Sequence, residues 1–381
     1  MECGYHERDE CRSCTAIGVP IARQRATKQE LAEAAVARAP QGSSDLEWLP
    51  AFGGPEADYR NKAKMVVGGT AAAPTLGILD AERRGVDLRG CGILAPGLRA
   101  AMPALAGFIT EAGLTPYDVP TRRGELKHLL VTESPDHELM VRFVLRSTEA
   151  LPRIRKHLDG LLATLPIRVA TVNLLPAHAA LLEGEEEHVL TEAAMLPMRL
   201  DGLTLLLPPR SFFQTNTAVA AALYRQAADW AARELDPGRP ARIVDLYCGV
   251  GGFGLALAGS GRSVLGIESS TEAISAAEAA ARMAGMRDTA FLPGDATEWL
   301  ATAGAAPDLI VVNPPRRGLG ERLTTALEAS GTEWLLYSSC NPDSLGADLE
   351  RLPGYRPVAA RLFDMFPQTG HLETMVLLAR A

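Results

Sequence analysis

Three groups of residues in this chain are equipped for chemistry: a cysteine near its end, a glycine loop with acidic neighbours, and a set of cysteines near its start. Cys340 lies in LLYSSCNPDSL, where Leu335, Leu336, Tyr337 and Ser338 read as a buried strand. A Ser-Ser-Cys-Asn-Pro turn then stops that strand, because Pro342 lacks the N–H a continuing ladder needs. A thiol on a turn at a strand exit is well placed as a nucleophile, and a small apolar thiol equally fills core. Cys3, Cys11 and Cys14 crowd a short polar segment, and Cys91 follows far downstream in DLRGCGIL. Four thiolates suit tetrahedral zinc or a [4Fe–4S] cluster, with the 3+1 spacing leaning toward iron–sulfur. A C-x-x-C redox pair or unrelated thiols are the alternatives. His6, between them, is a further donor or a surface residue.

The elements that must position these groups follow from periodicity. From Leu203 onward, apolar strands alternate with helices: ARIVDLYC, SVLGIESS, DLIVVN and the Cys340 strand, with helices between them. That alternation predicts a doubly wound parallel sheet with ligand sites at the carboxyl ends of its strands. The glycine loop after Asp245 holds Gly249, Gly251, Gly252 and Gly254, spaced G-x-G-G-x-G. Glu268, at the tip of the next strand, suits the hydroxyls of a ribose in either a dinucleotide or S-adenosylmethionine. The loop lacks the phosphate-binding G-x-G-x-x-G register, so S-adenosylmethionine, which carries no phosphate, is favoured. Ser269-x-x-Glu272 reads as a capping box for the helix after Glu268. Asn313-Pro-Pro, with Arg316 next, closes a third strand; it is either a ligand-facing turn or a rigid Pro-Pro turn without a direct role.

The first half is less regular. TKQELAEAAVARA, from Thr27, reads as an exposed helix, and Gln41-Gly-Ser-Ser as a linker. Trp48 to about Leu207 mixes β-branched runs (HLLVTES, ELMVRFVLRS, VATVNLLP) with the helical LPRIRKHLDGLLATL. In Tyr59–Met65, three cations surround an aromatic, a grouping that suits a flipped or single-stranded nucleotide, or a solvated strand edge. Glu183–Glu187 is an acidic run, most simply a solvated loop.

A net charge of -8 excludes a uniformly basic nucleic-acid coat, though a local basic groove still steers a phosphate backbone. No apolar run is long enough to span a membrane, and the Met-Glu-Cys start carries no apolar signal region. We expect a cytoplasmic monomer without membrane association, where cysteines serve metal or catalysis rather than disulfides.

SFFQTN, DLYCGVGGFG, VVNPPRRGLG, YSSCNP and the tail LFDMFPQTGHLETMVLL together resemble the RNA uracil-5-methyltransferase family. The four cysteines and YRNKAKM narrow the resemblance to the 23S rRNA branch that carries an iron–sulfur cluster and lacks an N-terminal RNA-binding barrel. Asn313, where most relatives carry Asp, fits that branch. The resemblance implies an α/β chain with a C-terminal Rossmann-like class I methyltransferase domain over 206–381. It implies an α+β RNA-binding domain over 46–205, and a Cys-rich iron–sulfur segment with a helix over 1–45. Cys340 is implied as nucleophile and Glu373 as the base that removes the C5 proton. Gln214, Tyr247, Glu268 and Asn313 are implied to bind S-adenosyl-L-methionine, and Cys3, Cys11, Cys14 and Cys91 to hold a [4Fe–4S] cluster. Cys248 matches no catalytic role and is read as packing beside the cofactor. The expected partner is 23S rRNA, with U747 the target. The alternatives are a tRNA or another rRNA uridine, or a non-enzymatic iron–sulfur RNA-binding protein.

Overall fold

A computed structural model describes residues 1–42 and 45–381; Ser43 and Ser44 of the expected linker lie outside the described residues. Two compact units divide the chain differently from the three consecutive segments expected. Met1–Cys14 packs with Glu56–Arg199 and Pro208–Arg210, while Thr15–Pro55 packs with Leu200–Leu207 and Ser211–Ala381.

The second of these units is built on an eight-stranded sheet. Its spatial order is Glu47–Gly53, Tyr355–Asp364, Glu373–Arg380, Trp334–Ser339, Leu309–Val312, Ala241–Leu246, Arg262–Glu268 and Thr289–Pro293. All neighbours are parallel except that Glu373–Arg380 runs antiparallel to both strands beside it. The central strands are apolar throughout because both faces are covered, and alternate residues enter different cores. Leu309 and Val311 pack with Val219, Leu223 and Trp230 of the helix Thr217–Glu234. Ile310 and Val312 pack with Leu323 and Leu327 of Gly320–Ser330 and with Leu345 and Leu349 of Pro342–Glu350. The fold expected of this half is present.

Local details correct the reading of the sequence. The helix Ile21–Val36 is not an exposed element: Gln24, Lys28, Ala32, Ala35 and Val36 form a buried stripe. Polar residues occupy that stripe because they have partners in the same unit. Lys28 Nζ lies 2.6 Å from the Asp364 carboxylate, and Gln24 exchanges hydrogen bonds with Gln368. The strand Glu47–Gly53, expected in the central region, instead extends this sheet as a parallel edge beside Tyr355–Asp364. The helix after Glu268 starts at Thr271, with Ser270 rather than Ser269 as its N-cap, accepting from the Ala273 N–H. Pro342 does more than end a strand: Asn341 caps a helix, Pro342–Glu350, that begins with the proline.

The other unit carries a seven-stranded mixed sheet ordered Gly85–Asp87, Ala73–Leu79, Lys62–Thr70, Leu126–Glu133, Leu139–Leu145, Ile167–Leu174 and Glu186–Val189. Leu139–Leu145 and Ile167–Leu174 are parallel, joined by the helix Leu151–Thr164. The helix Pro96–Glu111 buries Leu98, Met102, Leu105 and Ile109 in the same core. The acidic run is not a solvated loop. Arg142, 1% exposed on a central strand, is held by a two-toothed contact to Glu187 and by Glu183 Oε2 at 2.6 Å. A buried guanidinium needs those carboxylates.

Among the described residues, no helix is long and apolar enough to cross a membrane.

Candidate active site

The parallel strands deliver their chemistry to one end of the sheet. Ala241–Leu246 pairs with Arg262–Glu268 and with Leu309–Val312, so Tyr247, Glu268 and Asn313 all leave the sheet at its carboxyl end. Trp334–Ser339 follows Leu309–Val312 in register and places Cys340 at the same end. The antiparallel strand starts there too, with Ser339 opposite Thr374, which puts Glu373 beside the strand that leads to Cys340.

The glycine loop is folded for close approach. Tyr247, Gly249 and Gly251 all have positive φ, and a Cβ on Gly252 would lie 2.4 Å from the Tyr224 hydroxyl. Asp245 anchors the loop through Oδ2, which accepts the Gly254 N–H at 2.8 Å. Full burial pushes its carboxyl up to about 7, against the pull of that N–H. Glu268 Oε2 accepts from the Gly249 N–H at 3.3 Å, and its Oε1 from Ser269 Oγ and the Ser270 N–H at 2.9 Å each. A carboxylate fixed at the loop's edge is suited to a pair of ribose hydroxyls. Tyr247 is half-buried, and burial raises its phenol. Gln214 is buried in the segment before the helix Thr217–Glu234. Cys248 is also buried, and burial with Asp245 and Glu268 nearby drives its thiol well up, so it is an inert packing thiol.

Cys340 is partly exposed. Burial and the neighbouring Glu373 carboxylate push its thiol up, while Arg316 pulls it down. Glu373, 2% exposed, has its carboxyl raised by burial to about 7, opposed by the Ser338 hydroxyl that donates to Oε1 at 2.5 Å. The loop between Asp364 and Glu373 is pinned by the helix Ile21–Val36 and by the segment before it. Lys28 also donates to the Phe366 carbonyl at 3.0 Å, and the Gln368 carbonyl accepts from the Ala16 N–H at 2.9 Å. This loop presents His371, whose Nδ1 accepts from Arg316 Nη2 at 2.8 Å.

Sequence reasoning missed the parts played by Ser338, Lys28, Asp364 and His371, and recorded Arg316 only as the residue that follows the Asn313-Pro-Pro turn. For Arg316 the available signal was a cation in the turn one strand before Cys340.

In the other unit, Arg60, Lys62 and Lys64 alternate along an extended segment and so share a face. Burial, Arg142 and Lys64 lower the Lys62 ammonium to about 8. Tyr59 is 6% exposed and therefore does not offer its ring for base stacking, which corrects half of the nucleotide reading. Burial, and then Cys91, Cys11 and Cys3, raise the Cys14 thiol to about 11. A cation among such thiols reverses that cost, which fits a thiolate-ligated metal. Among the described residues no three Cys, His, Asp or Glu side chains form a ready-made metal-holding group.

Comparison with known proteins bears on the whole chain. The family model tRNA (Uracil-5-)-methyltransferase matches residues 201–299 and 300–381. The 23S rRNA (uracil(747)-C(5))-methyltransferase RlmC of Cronobacter sakazakii is 44% identical over all of this chain and all of its own length. Its namesake from Shewanella baltica is 44% identical over all of this chain and 97% of its own. Among solved structures, the tRNA (uracil-54, C5)-methyltransferase of Pyrococcus abyssi, in complex with S-adenosyl-L-homocysteine, superposes with a TM-score of 0.77 at 25% identity. That match covers 96% of this chain and 85% of the other. On these full-length matches, and with a glycine loop, a thiol and a buried carboxylate at one end of its sheet, the chain belongs to the S-adenosylmethionine-dependent RNA uracil-5-methyltransferase family.

Proposed function

We propose that this protein methylates C5 of U747 in 23S rRNA, the reaction in its relatives' names, through a covalent adduct at Cys340. The observation that carries the mechanism is the pairing of strands that sets Glu373 beside the Cys340 strand, close enough for its charge to act on the thiol. Uracil C5 is a weak nucleophile. Addition of the Cys340 thiolate to C6 forms the S–C6 bond and makes an enolate, whose C5 then takes the methyl group as S-adenosylhomocysteine leaves. Glu373 removes the C5 proton as its carboxylate, the enolate re-forms, and expulsion of the thiolate restores the C5–C6 double bond. The target base must leave its stack to be reached.

Gln214, Tyr247, Glu268 and Asn313 hold the methyl donor, a reading supported by the shared end of the sheet for the last three and by the engaged Glu268 carboxylate. Cys3, Cys11, Cys14 and Cys91 hold a [4Fe–4S] cluster, supported by the 3+1 spacing of the cysteines and by Cys3 and Cys11 lying near enough to raise the Cys14 and Cys91 thiols. When bound, the cluster supplies a cross-link between the first residues and the seven-stranded unit. Arg60, Lys62 and Lys64 meet RNA phosphates.

The test is twofold. Deleting the gene and mapping 5-methyluridine in total RNA is expected to remove the modification at U747. Loss at a tRNA uridine or another rRNA uridine instead overturns the assignment of substrate. RNA carrying 5-fluorouridine is expected to form a denaturation-resistant adduct with the intact protein and none with Cys340→Ala. Normal methylation by Cys340→Ala sinks the covalent mechanism.

A further inference from the structure

The neighbours of Cys340 pose a problem that the mechanism above leaves unsolved. Addition to C6 requires the thiolate, yet the thiol is partly buried and sits beside a carboxylate, and both conditions favour its neutral form. The strand and turn that carry Cys340 hold no cation: the run from Trp334 to Asn341 contains none. The countercharge comes from the neighbouring turn.

Arg316 follows the Asn313-Pro-Pro turn at the end of the adjacent parallel strand. Two contacts hold it at the nucleophile. Asn341, the residue after Cys340, donates from Nδ2 to the Arg316 carbonyl at 2.9 Å, which ties the two turns together. At the other end of the side chain, Nη2 donates to His371 Nδ1 at 2.8 Å. His371 is itself fixed from behind, with the Phe366 ring edge-on to it at 6.1 Å. Arg316 is thus held between the turn that carries Cys340 and the loop that carries His371, near enough for its charge to favour the thiolate. The charged groups facing the thiol are Glu373 and Arg316, and those facing His371 are Arg316 and Lys28. Burial, and then Arg316 and Lys28, lower the His371 imidazolium and so favour the neutral form, which is the form able to accept from an arginine.

We propose that Arg316 is a catalytic residue that stabilises the Cys340 thiolate, and that His371 is the positioning residue that aims its guanidinium. This rests on the reading of Cys340 as the nucleophile. No proton passes through the arginine; it stays charged and donates hydrogen bonds throughout.

The experiment follows alkylation of Cys340 by iodoacetamide in the full-length protein without RNA, read by peptide mass spectrometry across pH. In Arg316→Gln the alkylation midpoint is expected to move up by at least about one pH unit, with the rate at neutral pH falling about tenfold, as expected for a rate proportional to thiolate. Arg316→Lys, which keeps a charge, is expected to shift less. His371→Ala is expected to shift the midpoint in the same direction, and His371→Asn, which restores an acceptor, to return it. An unchanged profile in Arg316→Gln overturns the catalytic assignment. Equal shifts in His371→Ala and His371→Asn overturn the positioning one. Should Arg316→Gln not fold, as judged by loss of S-adenosylmethionine binding, the Arg316→Lys and His371 profiles decide. Formation of the 5-fluorouridine adduct by the native protein separates the two readings. With adduct present and the Arg316→Gln profile unchanged, this proposal alone fails; with no native adduct, Cys340 is not the nucleophile.

Discussion

Ser338 and Glu373 lie on the diagonal of an antiparallel strand pair, two positions from Met375, which is in register with Ser338, and the serine hydroxyl donates to the glutamate at 2.5 Å in a fully buried setting. That contact gives the carboxylate a partner and moderates what burial does to it. The residual effect is large: its carboxyl stands at about 7 against an ordinary 4.5.

This shift has a definite sign. Between those two values the folded chain holds a proton that the unfolded chain has released, so the stabilisation is complete at low pH and is lost as pH rises toward about 7. The total is on the order of 3 kcal/mol for a shift of this size. Asp245, also raised to about 7 by burial, adds a slope of the same sign. Urea unfolding at several pH values is expected to show stability falling across this window, with the slope roughly halved in Glu373→Gln. An identical slope in the variant refutes the buried-proton account. In the same variant, covalent adduct with ordinary RNA is expected to accumulate, since nothing removes the C5 proton.

Lys28 and Asp364 form a second buried relationship, at 2% and 0% side-chain exposure. Asp364 also accepts from Arg25 Nε at 3.1 Å, so removing Lys28 leaves the buried carboxylate with one, partly exposed cation. Lys28→Met is expected to cost about 2–3 kcal/mol in urea unfolding, below the cost of a pair left with no countercharge, and Lys28→Met with Asp364→Leu to recover part of it. A single-variant loss below about 1 kcal/mol, the range of an exposed pair, speaks against the clamp.

For the cysteines, anaerobic preparations are expected to contain iron and acid-labile sulfide, both lost in Cys14→Ser. Stoichiometric zinc without iron assigns the thiols to a different metal.

Lys62 and Lys64 are expected to act as phosphate contacts. Replacing either with Gln is predicted to lower the slope of log affinity against log salt by about one, while weakening different RNA sequences alike. A slope equal to the native one removes that lysine from the RNA interface.

Much of the site was legible because its signals are local. An apolar strand followed by glycines, or by Cys-Asn-Pro, declares a strand exit within about ten residues. What stayed illegible depends on distant partners. Lys28 and Gln24 made a buried stripe look like a solvated one because Asp364 and Gln368 neutralise them from the far end of the chain. Glu187 read as part of a loop until Arg142 appeared beneath it on a buried strand. The Arg316–His371 contact joins two turns 55 positions apart, and no periodicity encodes that.

The placement of Thr15–Pro55 within the C-terminal unit has a consequence for biosynthesis. The partners Lys28 and Asp364 are 336 positions apart, and the edge strand Glu47–Gly53 pairs with the strand ending at Asp364. On the ribosome, these early segments emerge long before the surface they dock on has been translated. Pairings of such separation close slowly, and until then a helix whose buried stripe includes Gln24 and Lys28, and an unpaired strand edge, are exposed. The nascent chain therefore carries the helix Ile21–Val36 as an unmet obligation until the strands Tyr355–Asp364 and Glu373–Arg380 are made.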